Sequence, residues 1–165
     1  MIAIPEGVSV DISGFDVTVK GPKGEVSKRF SGKVKVEREG NNVVVKGPEK
    51  EKALIGTISS LINNMVIGVT EGYKIQLKIL YSHFPASLEV KGRDVLVKNF
   101  IGEKYPRKTK VYGDATKVEV KGQNVTITGP DKHAVSQTFA NIKSVLKIRD
   151  KDCRIFQDGI YEVSE

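Results

Sequence analysis

The sequence has few of the side chains that form disulfides or bind metals. Among its 165 residues there is one cysteine, Cys153, and there are two histidines, His83 and His133. A single cysteine cannot form an internal disulfide, and neither histidine has Cys or His neighbours at metal-ligand spacing. We therefore expect no metal site and no cofactor. The lone cysteine also favours a reducing, cytoplasmic location.

Long apolar runs and catalytic motifs are absent as well. No stretch of 18 consecutive apolar residues occurs, which predicts that no segment spans a membrane, and the N-terminus lacks the basic and apolar regions of a signal peptide. No Gly-x-Ser-x-Gly elbow frames a serine. The glycine-rich segment Gly21–Gly24 lacks the Gly-Lys-Ser/Thr of a phosphate-binding loop. These absences argue against an enzyme and against a small-molecule substrate.

The composition is that of a globular protein with a basic surface. Hydrophobic residues make up 39% of the chain and charged residues 28%, which excludes a disordered or fibrous class. The formal net charge is +7 and the sequence pI is about 9.4. Such a balance suits a polyanionic partner, although many basic proteins bind no polyanion. Charge alone therefore does not decide the function.

The segment Lys121–Leu146 predicts a strand, a sharp turn and one helix. Val125 and Ile127 alternate with threonines, as in a strand with one buried face. Gly129-Pro130 breaks this strand, and the carboxylate of Asp131 favours the start of a helix. The segment is therefore one compact unit of secondary structure.

The same unit occurs earlier in the chain. Glu39–Lys50 matches the turn region with an offset of 82, which is the difference between Gly122 and Gly40 and between Pro130 and Pro48. In both copies, apolar residues at spacings of 4, 3 and 4 then define one helical face. These residues are Leu54, Ile58, Leu61 and Met65 in the first helix and Val135, Phe139, Ile142 and Leu146 in the second.

The predicted fold is α+β, an internal duplication with two similar domains, each a mainly antiparallel sheet packed on one helix. We place the domains at residues 1–81 and 82–165. The alternating strand that begins at Tyr73 is assigned to the first domain. Gly68 is expected to end the first helix, and Asp158-Gly159 reads as a hairpin turn. The strands before the first helix are predicted at Val8–Ile12, Phe15–Lys20, Val26–Phe30, Val34–Glu37 and Val43–Lys46.

The second copy contains a basic insertion. Ser87–Lys98 repeats Ser9–Lys20 with an offset of 78, and the offset reaches 82 by Gly122, so four extra residues lie between. We place them around Glu103–Tyr112, the most basic short stretch of the chain. A basic insertion in one copy of a scaffold is a place where function is added to structure.

Two basic clusters in the second half are candidate RNA-binding sites, because cations attract phosphates and tyrosines stack on exposed bases. A solvated surface explains each cluster equally well. The first cluster is Lys104, Tyr105, Arg107, Lys108 and Lys110, with Tyr112 beside it. The second is Lys143, Lys147, Arg149, Lys151 and Arg154, which follow the helix into the tail.

Four segments of the chain resemble the L6 family of large-subunit ribosomal proteins in its archaeal and eukaryotic form. Val17–Glu25 (VTVKGPKGE) resembles the N-terminal hairpin of the family, and Met65–Tyr73 (MVIGVTEGY) the segment that leaves the first helix. Arg154–Tyr161 (RIFQDGIY) resembles the archaeal and eukaryotic tail, and Gly129–Lys132 (GPDK) fits the start of the second helix. The resemblance spans nearly the whole chain.

This resemblance implies a structural component of the large ribosomal subunit with two α+β domains of one fold. It implies binding of large-subunit rRNA, mainly through the C-terminal domain, near the stalk base and the sarcin–ricin loop and beside the translation-factor site. Neighbouring ribosomal proteins would be further partners. By carry-over, the two basic clusters are the RNA-facing candidates. The alternatives are a protein-interaction module that uses exposed sheet edges and a small enzyme that acts on an anionic substrate.

Overall fold

The computed structural model describes residues 2–32, 34–152 and 154–163 and has an α+β fold in which every paired strand is antiparallel. The chain divides into two compact units. The first comprises Met1–Gly72 with Pro130–Lys132, and the second comprises Tyr73–Gly129 with His133–Glu165. Each unit has its own cluster of buried hydrophobic side chains.

The first unit contains two three-stranded sheets, with strand orders β2-β3-β4 and β1-β6-β5. Alternating valines point into the core, and Val17, Val19 and Val43 are fully buried. This alternation is the period-2 pattern that the sequence shows. The strands are β1 (Ile2–Ala3), β2 (Ser9–Ser13), β3 (Asp16–Gly21), β4 (Gly24–Arg29), β5 (Lys35–Glu39) and β6 (Asn42–Lys46).

The first helix, α1 (Lys52–Thr70), follows a short 3₁₀ turn at Glu49–Glu51 and is longer than predicted. Gly68 does not end it but lies buried inside it, and the backbone N–H of Glu71 still bonds to the carbonyl of Ile67 at 2.9 Å. The prediction that Gly68 stops the helix is therefore wrong. The physical reason is tertiary packing, because Val69, one residue further on, is fully buried in the core.

The segment Glu49–Thr70 is long and apolar enough to cross a membrane by length and composition, with a mean hydropathy of 1.5 in its most apolar window. One third of that window is buried inside the protein. The helix contacts β1, β3, β4 and β6 with its apolar face. Its exposed positions are small or polar, which is the pattern of a core helix: Lys52, Ala53, Gly56, Thr57, Ser60 and Asn63.

The second unit contains a three-stranded sheet of order β8-β9-β10 and a four-stranded sheet of order β11-β12-β7-β13. Helix α2 (Lys132–Val145) contributes Val135 and Ile142 to the core of this unit. The strands are β7 (Tyr73–Leu80), β8 (Ser87–Lys91), β9 (Asp94–Lys98), β10 (Arg107–Lys110), β11 (Lys117–Lys121), β12 (Asn124–Gly129) and β13 (Gly159–Glu162).

The strand β7 lies in the second unit, although the sequence assigned it to the first. Its residues pair with β12, with Tyr73 opposite Gly129, and with β13, with Leu80 opposite Gly159. The assignment of this strand to residues 1–81 is therefore wrong. Alternation identified a strand correctly, but period-2 patterning carries no information about which strand is the partner.

The stretch predicted as an insertion is partly a regular strand. β10 pairs with β9 over four residues, from Arg107 opposite Val97 to Lys110 opposite Asp94. The corresponding hairpin in the first unit has two residues, Pro22 and Lys23, between β3 and β4. The longer connection is therefore residues 99–106, which include a 3₁₀ turn at Phe100–Gly102.

The tail does not form the hairpin predicted at Asp158-Gly159. Instead, β13 begins at Gly159 and pairs with the distant β7, while Phe156 precedes it outside any strand. Asp158 is buried and accepts hydrogen bonds from the loop after β7. Long-range bonds to this carboxylate, rather than local turn chemistry, fix the conformation here. Cys153 lies outside the described residues.

Candidate nucleic-acid interface

The strand β10 lies beside α2, so the lysines of β10 belong to one region with the helix that carries Lys143. The side chain of Asn141 donates to the carbonyl of Lys110 at 3.3 Å. The backbone N–H of Tyr112 donates to the hydroxyl of Thr138 at 3.0 Å, and Thr138 is fully buried. These bonds hold the strand and its continuation against the helix. The position of the lysines on β10 is therefore fixed by the core of the second unit.

Two lysines on β10 are available to a partner. Lys108 and Lys110 are exposed and two residues apart, so they project from the same face of the strand. Thr109, between them, is half-buried. β10 is also an edge strand of its sheet. The strand thus presents two exposed lysines on one face, with their Cα atoms about 7 Å apart.

Arg107 has a different environment from its neighbours. Its guanidinium donates to both carboxylate oxygens of Glu103, with Nε at 2.7 Å from Oε2, and to the carbonyls of Val145 at 2.6 Å and Lys147 at 3.1 Å. It also lies 4.8 Å from the centroid of the Phe100 ring. The bond to Glu103 raises the pKa of Arg107 above its ordinary value. Arg107 thus caps the end of α2, where a cation complements free carbonyls.

Lys143 and Lys147 continue the basic surface at the end of α2. Both are exposed. The ammonium group of Lys143 lies 5.6 Å from the centroid of the Phe139 ring. Phe139, which the sequence placed on the buried face, is half-buried, and the fully buried neighbour is Thr138.

The remaining candidates lie in loops and are exposed. Tyr105 has the most exposed ring, at 79% of its full accessibility. Lys151 is not a free cation, because its ammonium lies 4.8 Å from the centroid of the Phe156 ring, which in turn stacks on His83 at 4.5 Å. The other exposed candidates are Lys104, Arg149 and Arg154.

The buried carboxylate of Asp158 anchors the tail. Its Oδ1 accepts hydrogen bonds from the backbone N–H and the hydroxyl of Ser82 at 3.2 and 3.1 Å and lies 3.1 Å from Nδ1 of His83. Burial by itself raises the pKa of Asp158, but the hydrogen bonds from His83 and Ser82 outweigh burial and hold this pKa below its ordinary value. Local sequence patterns do not indicate this anchor, because its partners are more than 70 positions apart.

The positive charge is concentrated in the second half of the chain. Residues 1–72 contain ten basic and nine acidic residues, whereas residues 73–165 contain 17 basic and 11 acidic ones. The formal charges are therefore +1 and +6, which together give the net charge of +7. Within the described residues, no three His, Cys, Asp or Glu side chains come together as metal ligands. The arrangement of charges in the second half can attract a polyanion.

Comparison with known proteins identifies the family. The family model described as Ribosomal protein L6 matches residues 4–72 and again residues 84–159. The chain is 48% identical to the large ribosomal subunit protein uL6 of Methanobrevibacter smithii, over 99% of this chain and 94% of that protein. It is 46% identical to uL6 of Staphylothermus marinus, over 97% and 90% of the two chains. For uL6 of Haloarcula marismortui the identity is 43%, over 97% and 92%. These similarities extend over nearly the full length, and the chain therefore belongs to the ribosomal protein L6 family.

Proposed function

We propose that this protein is a structural constituent of the large ribosomal subunit, in the cytoplasm, and that it binds large-subunit rRNA mainly through its second unit. Its relatives carry the name of a large-subunit protein. The observation that carries the RNA-binding part is the contact of β10 with α2, which places Lys108 and Lys110 in one region with Lys143 and Lys147. No catalytic step is part of this role.

Binding rests on neutralisation of phosphates by exposed lysines. Paired RNA hides its base edges in a deep, narrow groove, so a protein contacts it mainly through shape and backbone. Lysines fixed on an edge strand and at a helix end suit this task, because the core of the unit holds their backbones still. Each phosphate contact releases counterions, and the affinity therefore falls steeply with salt.

The location within the subunit is part of the same proposal. We propose, from its resemblance to the L6 family, that the protein lies near the stalk base and the sarcin–ricin loop, beside the site where translation factors bind. Neighbouring ribosomal proteins are then further partners. In this position the protein holds rRNA helices of the factor-binding region in one arrangement.

We also infer that the two units arose by duplication of one ancestral domain. Ser9 lies opposite Lys20 in the first unit, and Ser87 lies opposite Lys98 in the second, a constant offset of 78. Pairing of β5 with β6 and of β11 with β12 shows the same register at an offset of 82. β1 beside β6 corresponds to β7 beside β12. The family model that matches twice supports the same inference.

The alternative role, strand addition at open sheet edges, has less support. The edge strand β11 carries three charged residues on one face, and the edge strand β5 carries four charged residues among its five. Charged side chains on edge strands are the means by which proteins discourage the pairing of a further strand. These edges therefore suit a solvated or phosphate-facing surface better than a peptide.

The experiment compares two fourfold lysine variants of the full chain for binding to deproteinised large-subunit rRNA across a salt series. The test variant replaces four lysines of the basic region, and the control replaces four exposed lysines of the first unit. The test set is Lys108, Lys110, Lys143 and Lys147, each changed to Gln. The control set is Lys23, Lys35, Lys50 and Lys52, each changed to Gln.

We expect the test variant to bind more weakly and its salt slope to be smaller by up to about one unit for each lysine that contacts a phosphate. The control variant should keep the affinity and the slope of the unchanged protein, although its charge is the same as that of the test variant. Equal losses in both variants would mean that net charge, and not this surface, is responsible.

A further inference from the structure

The second unit has an apolar hollow of about 480 Å³ between the end of α2 and the strand β13. This volume is within the range of sites for small planar ligands. Its walls are apolar, and two cations stand among its lining residues. The apolar lining is Leu146, Ile148, Phe156, Ile160 and Tyr161, and the cations are Lys143 and Lys147.

The Tyr161 ring stands between this hollow and a second one. The second hollow, of about 550 Å³, is lined by Leu80, Tyr81, Ser82 and Gln157, and Gln157 and Tyr161 line both. Tyr161 is 46% exposed, although its neighbour Ile160 is buried. Its hydroxyl donates to the carbonyl of Gln157 at 2.9 Å, which fixes the orientation of the ring. The exposed ring is thus held in place without covering either hollow.

Among the described residues that line the hollow, Asp158 has the one acidic side chain, and a ligand cannot reach its buried carboxylate directly. Asp158 is 1% exposed, and its carboxylate is occupied by hydrogen bonds from Ser82 and His83. The accessible charge at the hollow is therefore that of Lys143 and Lys147. Cations beside an apolar, aromatic-walled hollow are complementary to a ligand with a flat apolar body and a negative group on its flank.

We propose that this hollow takes one unpaired nucleotide of RNA, whose base lies against the Tyr161 ring and whose flanking phosphates contact Lys143 and Lys147. This proposal rests on the proposed function and adds a base contact to the phosphate contacts. Unstacked bases in loops and bulges are recognised by stacking on aromatic side chains, whereas a base inside a duplex cannot enter such a hollow. An acidic peptide would satisfy the lysines but has no need of a fixed, flat ring.

The first test fills the hollow without touching a cation. Ser144 is exposed on α2 and lines the hollow, so Ser144→Trp places a large ring into it. Ser136 is exposed on the same helix and is not in the lining, which makes Ser136→Trp a matched control. Binding of both variants and of the unchanged full chain to deproteinised large-subunit rRNA is measured across a salt series.

We expect Ser144→Trp to weaken binding by about 5- to 100-fold, the loss of one base-stacking contact. Its salt slope should equal that of the unchanged protein, because no phosphate contact is lost. Ser136→Trp should leave both quantities unchanged. An affinity of Ser144→Trp equal to that of Ser136→Trp would overturn the proposal and leave a protein segment as the occupant to examine.

A second pair of variants tests the ring itself. Tyr161→Ala removes the stacking surface, whereas Tyr161→Phe keeps it and loses only the bond to Gln157. We expect a large loss of affinity for Tyr161→Ala and a smaller loss for Tyr161→Phe, which keeps the ring but lacks the bond that orients it. Equal affinities of these two variants would also overturn the proposal.

The experiments distinguish a failure of the base-binding proposal from a failure of the proposed function. If the fourfold lysine variant loses affinity and slope while Ser144→Trp and Tyr161→Ala bind normally, the surface binds phosphates and the hollow takes no base. If the unchanged protein does not bind this rRNA at all, both proposals fail together.

Discussion

The two halves of this chain share strand registers but differ in their surfaces. Residues 1–72 carry a formal charge of +1 and residues 73–165 a charge of +6. Of the nine exposed large hydrophobic side chains among the described residues, eight lie in the second half and only Phe15 lies in the first. An excess of positive charge together with exposed apolar side chains is typical of a surface that meets an anionic partner. The difference agrees with the proposal that the second unit is the one that binds rRNA.

The loop that joins corresponding strands also differs between the two units, and it is longer in the second unit. A tight two-residue turn joins β3 to β4, whereas residues 99–106 join β9 to β10. Glu103 in the longer connection accepts from Arg107, the first residue of β10, and Arg107 in turn donates to the carbonyl of Val145 at the end of α2. The longer connection also supplies Phe100, whose side chain is buried in the core of the second unit.

The largest effect on stability is expected when a buried side chain is shortened in either core. Ile62 in α1 and Ile142 in α2 are both fully buried, one in each unit. We expect Ile62→Ala and Ile142→Ala each to lower the free energy of unfolding by about 2–5 kcal/mol, from lost burial and the cavity left behind. Hydrogen exchange should show the loss of protection in the unit that carries the change. Phe139→Ala is the comparison, and because Phe139 is half-buried it should cost less than Ile142→Ala.

The anchor of the tail is the buried carboxylate of Asp158, and among the described residues of the first unit no charged residue is buried. Replacing Asp158 by Asn puts an amide where the N–H and O–H groups of Ser82 and His83 need an acceptor. We expect a loss of about 1–3 kcal/mol, the usual cost of an unsatisfied buried donor. Urea unfolding measures this loss, with the exposed Asp94→Asn as control. Equal stability of the two variants would contradict the role of the anchor.

The same anchor predicts that the stability of the protein decreases at acidic pH. The pKa of Asp158 in the folded state lies below its ordinary value of 3.8. Its stabilising effect is therefore fully present above the unfolded pKa and is lost as the pH falls through the lower folded pKa. Below about pH 4, the stability of the unchanged protein should fall more steeply than that of Asp158→Asn. Parallel curves would show that another group governs the acid transition.

The smallest expected effects come from single substitutions of two neighbouring cations, Arg107 and Lys108. Arg107→Gln should lower the free energy of unfolding by about 1–2 kcal/mol, because the carbonyls at the end of α2 lose a charged donor. Lys108→Gln should leave stability unchanged and weaken RNA binding, since Lys108 is exposed. Thermal unfolding and RNA titration of both variants provide the comparison. An unchanged stability for Arg107→Gln would place this residue back among the free cations.

Much of the secondary structure could be predicted from local patterns. Val17 and Val19, and likewise Val125 and Ile127, are separated by a polar residue, and this alternation predicts strands that the structure contains. Local patterns failed where a distant partner decides the conformation. Gly68 stays helical because its neighbours are buried, and Asp158 avoids a turn because Ser82 supplies its bonds. The groups that decide these two conformations lie far away in the sequence, outside any window of ten residues.

For the candidate site, the sequence predicted which basic residues lie on the surface but not which contacts they make. The lysines singled out from the sequence are exposed, and their role in RNA binding stays a prediction. Arg107 could not be separated from Lys108 by sequence, because both read as one basic run. Their difference depends on the end of α2, about 40 positions away. Tyr161 was not predicted because its exposure follows from its pairing opposite Lys78 on the outer face of β7.

The sequence by itself determined the α+β class, the positions of most strands and helices, the family resemblance and the concentration of basic residues in the second half. These follow from periodicity, turn residues and composition, which act over short distances along the chain. Only the tertiary structure decided that β7 belongs to the second unit, that β10 lies against α2, and which cations are free. Such features depend on contacts between residues far apart in sequence, and local patterns specify a strand or a helix without specifying its partner.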